Sequence, residues 1–237
     1  RAVNMVSLEI LPGETIGLAG ESGCGKSTLA FAISRLHKMP ALISGGEIWF
    51  EGQDVLKMNE EALRKFRWSE VSIVFQSAMN SLNPVITIGE QMTDVLLAHQ
   101  EVSQNQALER AAELLKIVGI HSSRLSSFPH QLSGGMRQRV VIAIALALNP
   151  KLIIMDEPTT ALDVVVEREI MDELYDLKEE YGFAILFISH DLSLMGEIAD
   201  RIGIMYAGRL VEIGAAGDVL NKAEHPYTKG LVSSFPT

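Results

Sequence analysis

The chain contains, close to its start, the nine-residue segment Gly20-Glu21-Ser22-Gly23-Cys24-Gly25-Lys26-Ser27-Thr28. The segment fits the pattern G-x-x-x-x-G-K-[ST], and it lies between a strand-like apolar run, residues 15–19, and a helix-like run, residues 27–36. This pattern in this context predicts a phosphate-binding P-loop, because its glycines let successive backbone N–H groups turn toward phosphate oxygens. We expect Lys26 to reach the β- and γ-phosphates and Ser27 to bind Mg²⁺. All nine residues are predicted to contact nucleotide.

Composition narrows the class of protein. The chain has 237 residues, 47% of them apolar, which is enough for one large α/β domain. The net charge of −10 and the lack of a Lys/Arg cluster disfavour nucleic-acid binding. The single cysteine, Cys24, excludes an internal disulfide or a cysteine-built metal site in this sequence. No apolar run is long enough to predict a transmembrane helix. Residues 1–10 lack the layout of a signal peptide. They resemble the later part of a strand, so we expect the sequence to be part of a longer chain.

Strand-like and helix-like runs alternate along the chain, which predicts an α/β fold with a mainly parallel sheet. Residues 3–10 alternate apolar and polar side chains and predict a half-buried strand, and we expect an antiparallel β edge subdomain near the N-terminus. Residues 87–127 show helical periodicity, with Ser103 and Gln106 placed as a capping box. We therefore predict a P-loop core of residues 1–86 and 128–237, with an α-helical subdomain inserted at residues 87–127.

A second group of candidate residues follows a predicted buried strand. Four apolar residues, 152–155, come directly before Asp156 and Glu157. In an open α/β sheet, an acid at the carboxyl end of a strand lies at the nucleotide crevice. Asp156 is therefore predicted to hold Mg²⁺, through water, and Glu157 to polarise the attacking water as general base.

Further motifs make the chain resemble the ATP-binding subunits of ABC transporters. Residues 132–136 read LSGGM, close to the ABC signature, with Met136 where Gln is more usual. Gln76 matches the glutamine of the Q-loop, residues 160–163 (TALD) match the D-loop, and residues 188–191 (ISHD) match the switch-histidine segment. The motifs occur in family order across almost the whole chain. The resemblance implies a P-loop NTPase core that uses ATP and Mg²⁺.

A closer resemblance is to the ATPases of oligopeptide and dipeptide importers. It is carried by residues 81–84 (SLNP), 87–91 (TIGEQ), 134–140 (GGMRQRV), 156–164 (DEPTTALDV) and 225–228 (HPYT). Such importers use two different ATPase subunits, and the GMRQRV form resembles the first of the pair. Members of this family continue past HPYT, in some cases with cysteines that bind an iron–sulfur cluster. The aromatic residue that stacks on adenine has no clear counterpart in this sequence.

The resemblance also assigns roles to single residues. Gln76 is expected to reach Mg²⁺ or the attacking water, and His190 to hydrogen-bond the γ-phosphate. The residues that begin the signature helix are expected to form an anion site that meets ATP held by the opposite subunit. The candidate catalytic residues are Glu157, His190 and Gln76. The candidate metal ligands are Ser27, Gln76 and Asp156. The nucleotide-binding set, besides the P-loop, is Ser133, Gly134, Gly135 and Asp163.

The function implied is that of an ATPase that powers peptide uptake from the cytoplasmic face of the cell membrane. The implied partners are a second ABC ATPase subunit, two membrane permease subunits and, indirectly, an extracellular substrate-binding protein, with no nucleic acid. Conformational changes of the ATPase would be transmitted to the permeases through residues 76–84 and the helical subdomain.

Other functions within and outside transport stay open. Similar ATPases serve nickel or oligosaccharide import, because cargo is chosen by the binding protein and the channel. An ABC ATPase acting on DNA or chromosomes would need long coiled coils between the P-loop and the signature, and no sustained heptads occur there. A translation factor of this family would carry two cassettes, and this sequence has one.

Overall fold

The computed structural model describes residues 1–76, 81–158 and 163–234, and for Val164 it describes the backbone alone. Two predicted loop segments therefore fall partly outside the described residues. The segments are residues 76–84 and the D-loop, residues 160–163. The residues outside are 77–80 in the first and Thr160, Ala161 and Leu162 in the second.

Strands and helices alternate along the described chain, as predicted. The strands are β1 Thr15–Ala19, β2 Trp49–Phe50, β3 Gln53–Asp54, β4 Val71–Val74, β5 Leu152–Asp156, β6 Ala184–Ile188, β7 Arg201–Tyr206 and β8 Arg209–Ala215. The helices are α1 Lys26–Ile33, α2 Glu60–Ser69, α3 Ile88–His99, α4 Gln104–Ile117, α5 Gly134–Ala145, α6 Val164–Tyr181, α7 Leu192–Ile198, α8 Ala216–Asn221 and α9 Pro226–Ser233. Short 3₁₀ turns lie at Val55–Lys57, Ser122–Ser126 and Pro129–Gln131.

The chain divides into two compact units, and the first comprises Arg1–Arg67 and the described residues from Ala184 onward. Its sheet places β1 between β6 and β7, parallel to both, and β8 runs antiparallel to β7. All residues of β1 and β6 are buried, as expected for parallel strands covered on both faces. The hairpin of β2 and β3 forms a separate antiparallel ladder. The predicted fold class, a mainly parallel sheet with an antiparallel element and helices, is confirmed.

The second unit is Trp68–Phe183 and contains the parallel pair of β4 and β5. Helices α3 and α4 begin at capping boxes, Thr87 with Glu90 and Ser103 with Gln106, and the second of these was predicted. Their apolar faces are buried, with Met92 and Ala111 fully enclosed. Residues 87–127 are thus helical, and the subdomain boundaries proposed for them stay a prediction.

The prediction of a strand at residues 3–10 is wrong. Their burial does alternate, with Leu8 and Ile10 half-buried and their neighbours exposed, but the segment enters no ladder. It is held instead by scattered bonds: Asn4 N–H donates to Gly208 O at 2.7 Å, and the Arg201 guanidinium donates to Glu9 O at 3.3 Å. Alternation reports which side chains face the protein, whereas a strand also needs a neighbouring backbone in register.

Helix α7 was not predicted, because its seven residues are too few to show a helical period. Within the described ranges, none of the helices has both the length and the apolar character needed to cross a membrane.

Candidate functional site

The P-loop connects the end of β1 to the start of α1 in the first unit. Lys26 is 6% exposed, and its ammonium donates to the carbonyl oxygens of Gly20 at 2.7 Å and Glu21 at 3.1 Å. The lysine charge therefore lies inside the curve of the loop, where the sequence predicted a phosphate contact. Gly25 caps α1 with a left-handed backbone, φ 109°, so that the loop can turn directly into the helix.

Two of the P-loop glycines are required by the backbone packed behind them. Gly20 has φ 146°, and a Cβ added there would collide with the carbonyl oxygen of Met205. Gly25 is similarly confined, because its Cβ would collide with the carbonyl oxygen of Ala2. Glycine is thus enforced at these two positions by main chain of the same unit. Ser27 and Thr28 are half-buried in the first turn of α1, and Cys24 is buried beneath the loop.

His190 follows β6, the strand that pairs with β1. The register joins Leu18 to Ile188, so Gly20 and His190 each lie two residues beyond paired positions. His190 is exposed at this strand end. The next residue, Asp191, caps α7 by accepting the N–H groups of Ser193 and Leu194 at 2.8 and 3.1 Å. The first unit therefore carries the predicted P-loop and the predicted histidine at neighbouring strand ends.

Gln76 and Glu157 meet in the second unit by the same geometry. The register joins Val74 to Met155, and the two side chains lie two residues further on. The Gln76 amide donates to Glu157 Oε2 at 2.8 Å. Glu157 has φ 47°, an uncommon backbone for a residue with a side chain, and it turns the chain just after the strand. Asp156, the last residue of β5, is 5% exposed.

The signature and the D-loop aspartate occupy the N-termini of two helices. Ser133 caps α5 by accepting Met136 N–H at 3.3 Å, and Asp163 caps α6 by accepting Val166 N–H at 3.0 Å. Both caps line one open pocket of about 360 Å³. A Cβ at Gly135 would stand 2.8 Å from Val166 Cγ1, so a larger residue there would require Val166 to shift. The second unit therefore brings Ser133, Gly134, Gly135 and Asp163 together around one pocket.

One charged cluster, which includes Arg139 and Glu169 of the pocket lining, was missed by the sequence analysis. Arg139, on the second turn of α5, forms an ion pair with Glu173 at 2.8 Å and lies 3.7 Å from Glu169, both on α6. Burial raises the pKa of the Glu173 carboxyl, and the charge of Arg139 opposes that rise. The four-residue spacing of the two glutamates marks one helix face, but the sequence gives no sign of the arginine on another helix.

Comparisons with known proteins agree with this geometry. The family model described as "ABC transporter" matches residues 3–160. The chain is 46% identical over 240 residues to the oligopeptide transport ATP-binding protein OppD of Bacillus subtilis, covering 100% of this chain and 67% of that protein. It is 44% identical over 239 residues to a probable peptide ABC transporter ATP-binding protein of Sinorhizobium fredii, covering 100% of this chain and 71% of that protein.

Solved structures give the same result. The dimeric ATP-binding cassette MJ0796, bound to ADP and Pi, superposes with a TM-score of 0.79 and 32% identity, over 91% of this chain and 90% of that one. CbiO1 of Clostridium perfringens, part of the transporter complex cbiONQ, superposes with a TM-score of 0.82 and 28% identity, over 93% and 84% of the two chains. With the P-loop and signature in place, the chain therefore belongs to the ABC transporter family, as one of its ATPase cassettes.

Proposed function

We propose that this chain is the ATP-hydrolysing subunit of an importer that takes up oligopeptides or dipeptides through separate membrane subunits. The peptide class rests on the relatives, which are named as peptide transport ATP-binding proteins. The reaction rests on one observation above all: a buried lysine ammonium held inside a glycine loop whose shape the surrounding backbone enforces.

Phosphate binding is the task of the first unit in this proposal. The Lys26 ammonium is hydrogen-bonded to carbonyl oxygens of neutral peptide groups, and the charged oxygens of a triphosphate are stronger partners for it. The N-terminus of α1 adds backbone N–H groups and the positive end of the helix dipole. His190 is proposed to donate a hydrogen bond to the γ-phosphate.

Water activation is the task of the second unit. Glu157 is proposed as the general base, and Gln76 orients its carboxylate through the 2.8 Å hydrogen bond. Because Gln76 opens residues 76–84, which we propose to face the permeases, a displacement of that loop would turn the carboxylate. This gives a physical route from transport to hydrolysis.

The residues proposed for Mg²⁺ fit that ion by their chemistry. Ser27, Asp156 and Gln76 offer a hydroxyl, a carboxylate and an amide oxygen, and hard oxygen ligands are those that Mg²⁺ prefers. Asp156 is buried at the end of its strand, which limits its side chain to a small range of positions. Bound Mg²⁺ would neutralise charge on the β- and γ-phosphates.

The signature surface is proposed to serve a second ATPase subunit. Ser133, Gly134, Gly135 and Asp163 lie at two helix N-termini that face one open pocket, and such N-termini attract phosphate. ATP held by the P-loop of the partner would close this surface, so that each nucleotide is shared by two chains. Residues 76–84 and the helices of residues 87–127 are proposed to contact two permease subunits at the membrane.

The proposal is tested by expressing the full-length protein with the permease and ATPase subunits encoded beside it. The purified complex in proteoliposomes is loaded with ATP, and uptake of a labelled pentapeptide, a labelled oligosaccharide and nickel is measured in parallel. We expect ATP-dependent uptake of the peptide, abolished by Lys26→Ala. If the complex takes up nickel or oligosaccharide but not peptide, the proposed cargo is wrong and the transported substrate is the one taken up. If the complex does not hydrolyse ATP, the whole proposal is refuted.

A further inference from the structure

A tyrosine from the C-terminal part of the first unit bonds directly to the P-loop. The Tyr227 hydroxyl oxygen accepts a hydrogen bond from the backbone N–H of Glu21 at 3.2 Å, across 206 positions of sequence. Glu21 is the second residue of the loop and is exposed, so this bond forms at the protein surface. The functions proposed above do not use this contact.

Tyr227 is itself held in place from three sides. Its own N–H donates to His225 Nδ1 at 3.2 Å, which caps α9. The carboxylate of Glu212, on β8, accepts the N–H groups of Glu224 at 2.8 Å and His225 at 3.1 Å. The Tyr227 ring packs against Tyr206, with centroids 4.4 Å apart. The hydroxyl is therefore presented to the loop by a fixed backbone.

The contact reaches the phosphate-binding lysine through one residue. While the N–H of Glu21 is held by Tyr227, its carbonyl oxygen accepts the Lys26 ammonium at 3.1 Å and the Cys24 N–H at 3.2 Å. Because a peptide unit is planar, fixing the groups on both sides of Glu21 restricts how the start of the loop can rotate. The orientation of the Glu21 carbonyl in turn sets one of the partners of Lys26.

We propose that Tyr227 is a positioning residue for nucleotide binding, which acts by fixing Glu21 and so holding the P-loop in its phosphate-binding shape. The inference rests on the proposed nucleotide site. A loop that is already ordered loses less conformational freedom when ligand binds, so the hydroxyl contributes to ATP affinity without touching ATP. Burial raises the pKa of the Tyr227 phenol, and the hydroxyl therefore stays neutral at ordinary assay pH.

The test uses the full protein in its assembled complex and compares Tyr227→Phe with Tyr206→Phe. Tyr227→Phe keeps the aromatic ring but removes the hydroxyl that bonds Glu21. Tyr206→Phe removes a hydroxyl from the same aromatic pair and leaves that bond intact. ATP affinity is measured by calorimetric titration, and KM and kcat by phosphate release. We expect Tyr227→Phe to weaken ATP binding and raise KM by about three- to tenfold, the effect of one hydrogen bond, with kcat within about twofold of the parent.

A double-mutant cycle shows whether the effect passes through Glu21. Glu21→Pro removes the N–H that Tyr227 accepts, so adding Tyr227→Phe to Glu21→Pro should cause no further loss of affinity. Thermal unfolding of each variant checks that it is folded. Hydrogen exchange of the Glu21 amide gives a second measurement, and it should become faster in Tyr227→Phe and stay unchanged in Tyr206→Phe.

The results separate this inference from the proposed function. If the parent complex binds no ATP, the proposed function fails and this inference fails with it. If the parent binds ATP and Tyr227→Phe binds it equally well, the inference alone is wrong. Equal losses in Tyr227→Phe and Tyr206→Phe, a full additional loss on the Glu21→Pro background, or an unchanged exchange rate at Glu21 would each overturn it as well.

Discussion

The Gln76 side-chain amide donates a hydrogen bond to Glu157 Oε2 at 2.8 Å, and the two residues lie at equal distances past the paired ends of β4 and β5. The parallel register of two strands therefore aligns an amide with a carboxylate. Because both residues lie just past the ends of their strands, a displacement of the Gln76 side chain would change the hydrogen bonding of the Glu157 carboxylate. This pair is the part of the second unit in which geometry and proposed chemistry agree most closely.

Replacing Glu157 by Gln should stop hydrolysis and spare nucleotide binding. Gln keeps the size of the side chain and suits the same backbone, but it cannot accept a proton from water. We expect kcat to fall by about 10²–10⁴, the usual contribution of a general base, with ATP affinity little changed. Phosphate release and equilibrium ATP binding are measured on the same preparation. Glu180→Gln, an exposed change on α6, serves as control; hydrolysis by Glu157→Gln at the parental rate would contradict the assignment.

Lys26→Ala should remove most of the affinity for ATP. The substitution deletes a buried cation and its hydrogen bonds to Gly20 and Glu21, so both the charge and the internal support of the loop are lost. Hydrogen bonds to charged groups contribute about 1.5–3 kcal/mol, which corresponds to roughly 10- to 150-fold in affinity. A titration with ATP measures this, with the exposed Lys38→Ala as control. Unaltered binding would show that this lysine does not contact phosphate.

A shared nucleotide site predicts a specific behaviour of a double variant. Glu157→Gln should accumulate an ATP-bound dimer, because ATP is bound but not consumed and the repulsion between the carboxylate and the γ-phosphate is gone. Adding Ser133→Arg should abolish that dimer, since the larger side chain obstructs the pocket at the two helix N-termini. Each chain should still bind ATP through its own P-loop.

Size-exclusion chromatography with and without ATP measures this accumulation, with the partner ATPase subunit present. Ser122→Arg, at an exposed position outside the pocket, is the matched control. Persistence of the ATP-dependent dimer in the Glu157→Gln/Ser133→Arg variant would rule out the shared site.

The Glu212 carboxylate gives a prediction about pH. Burial opposes its ionisation, but the N–H group of Glu224, the Thr228 hydroxyl and the N–H group of His225 together hold its pKa below the ordinary value of 4.5. A carboxyl whose pKa is lower in the folded state stabilises the fold above its unfolded pKa, and this stability is lost as the pH falls through the folded pKa. We expect Glu212→Gln to cost about 1 kcal/mol of unfolding free energy at neutral pH.

The difference between parent and Glu212→Gln should shrink once the pH drops below the ordinary pKa of 4.5. Urea unfolding followed by circular dichroism across this range measures it. Glu224→Gln is the control, because it changes a neighbouring exposed carboxyl and keeps the backbone N–H that Glu212 accepts. A deficit that stayed constant with pH would indicate lost packing rather than lost charge.

The P-loop, the strand that precedes it and the acids at the end of β5 could be predicted from sequence because each is a local pattern. Thr15–Ala19 forms a strand with the predicted bounds, and Ser103 with Gln106 forms the predicted capping box. The relations between distant segments could not be predicted in the same way. The Gln76–Glu157 bond depends on the register of β4 against β5, and no residue in either strand specifies that register by itself.

Two further features could not be predicted from local sequence patterns. The left-handed backbone of Glu157 carries no sequence signal, because the residues that favour this conformation are Gly and Asn. Tyr227 was noted for its resemblance to a family segment, but its contact with Glu21 requires α9, after seven more strands, to return to the loop that follows β1. The strand predicted at residues 3–10 failed for the converse reason: its pattern was present and its pairing partner was not.

The ion pair between Arg139 and Glu173, together with the close approach of Gly135 to Val166, has a mechanical consequence. A partly exposed ion pair contributes at most about 1 kcal/mol to stability, but here it joins two helices that are already in van der Waals contact near their first turns. The capping residues Ser133 and Asp163 therefore stand at the ends of two helices that are joined to each other. We expect a displacement of either cap by an approaching subunit to be transmitted to the other.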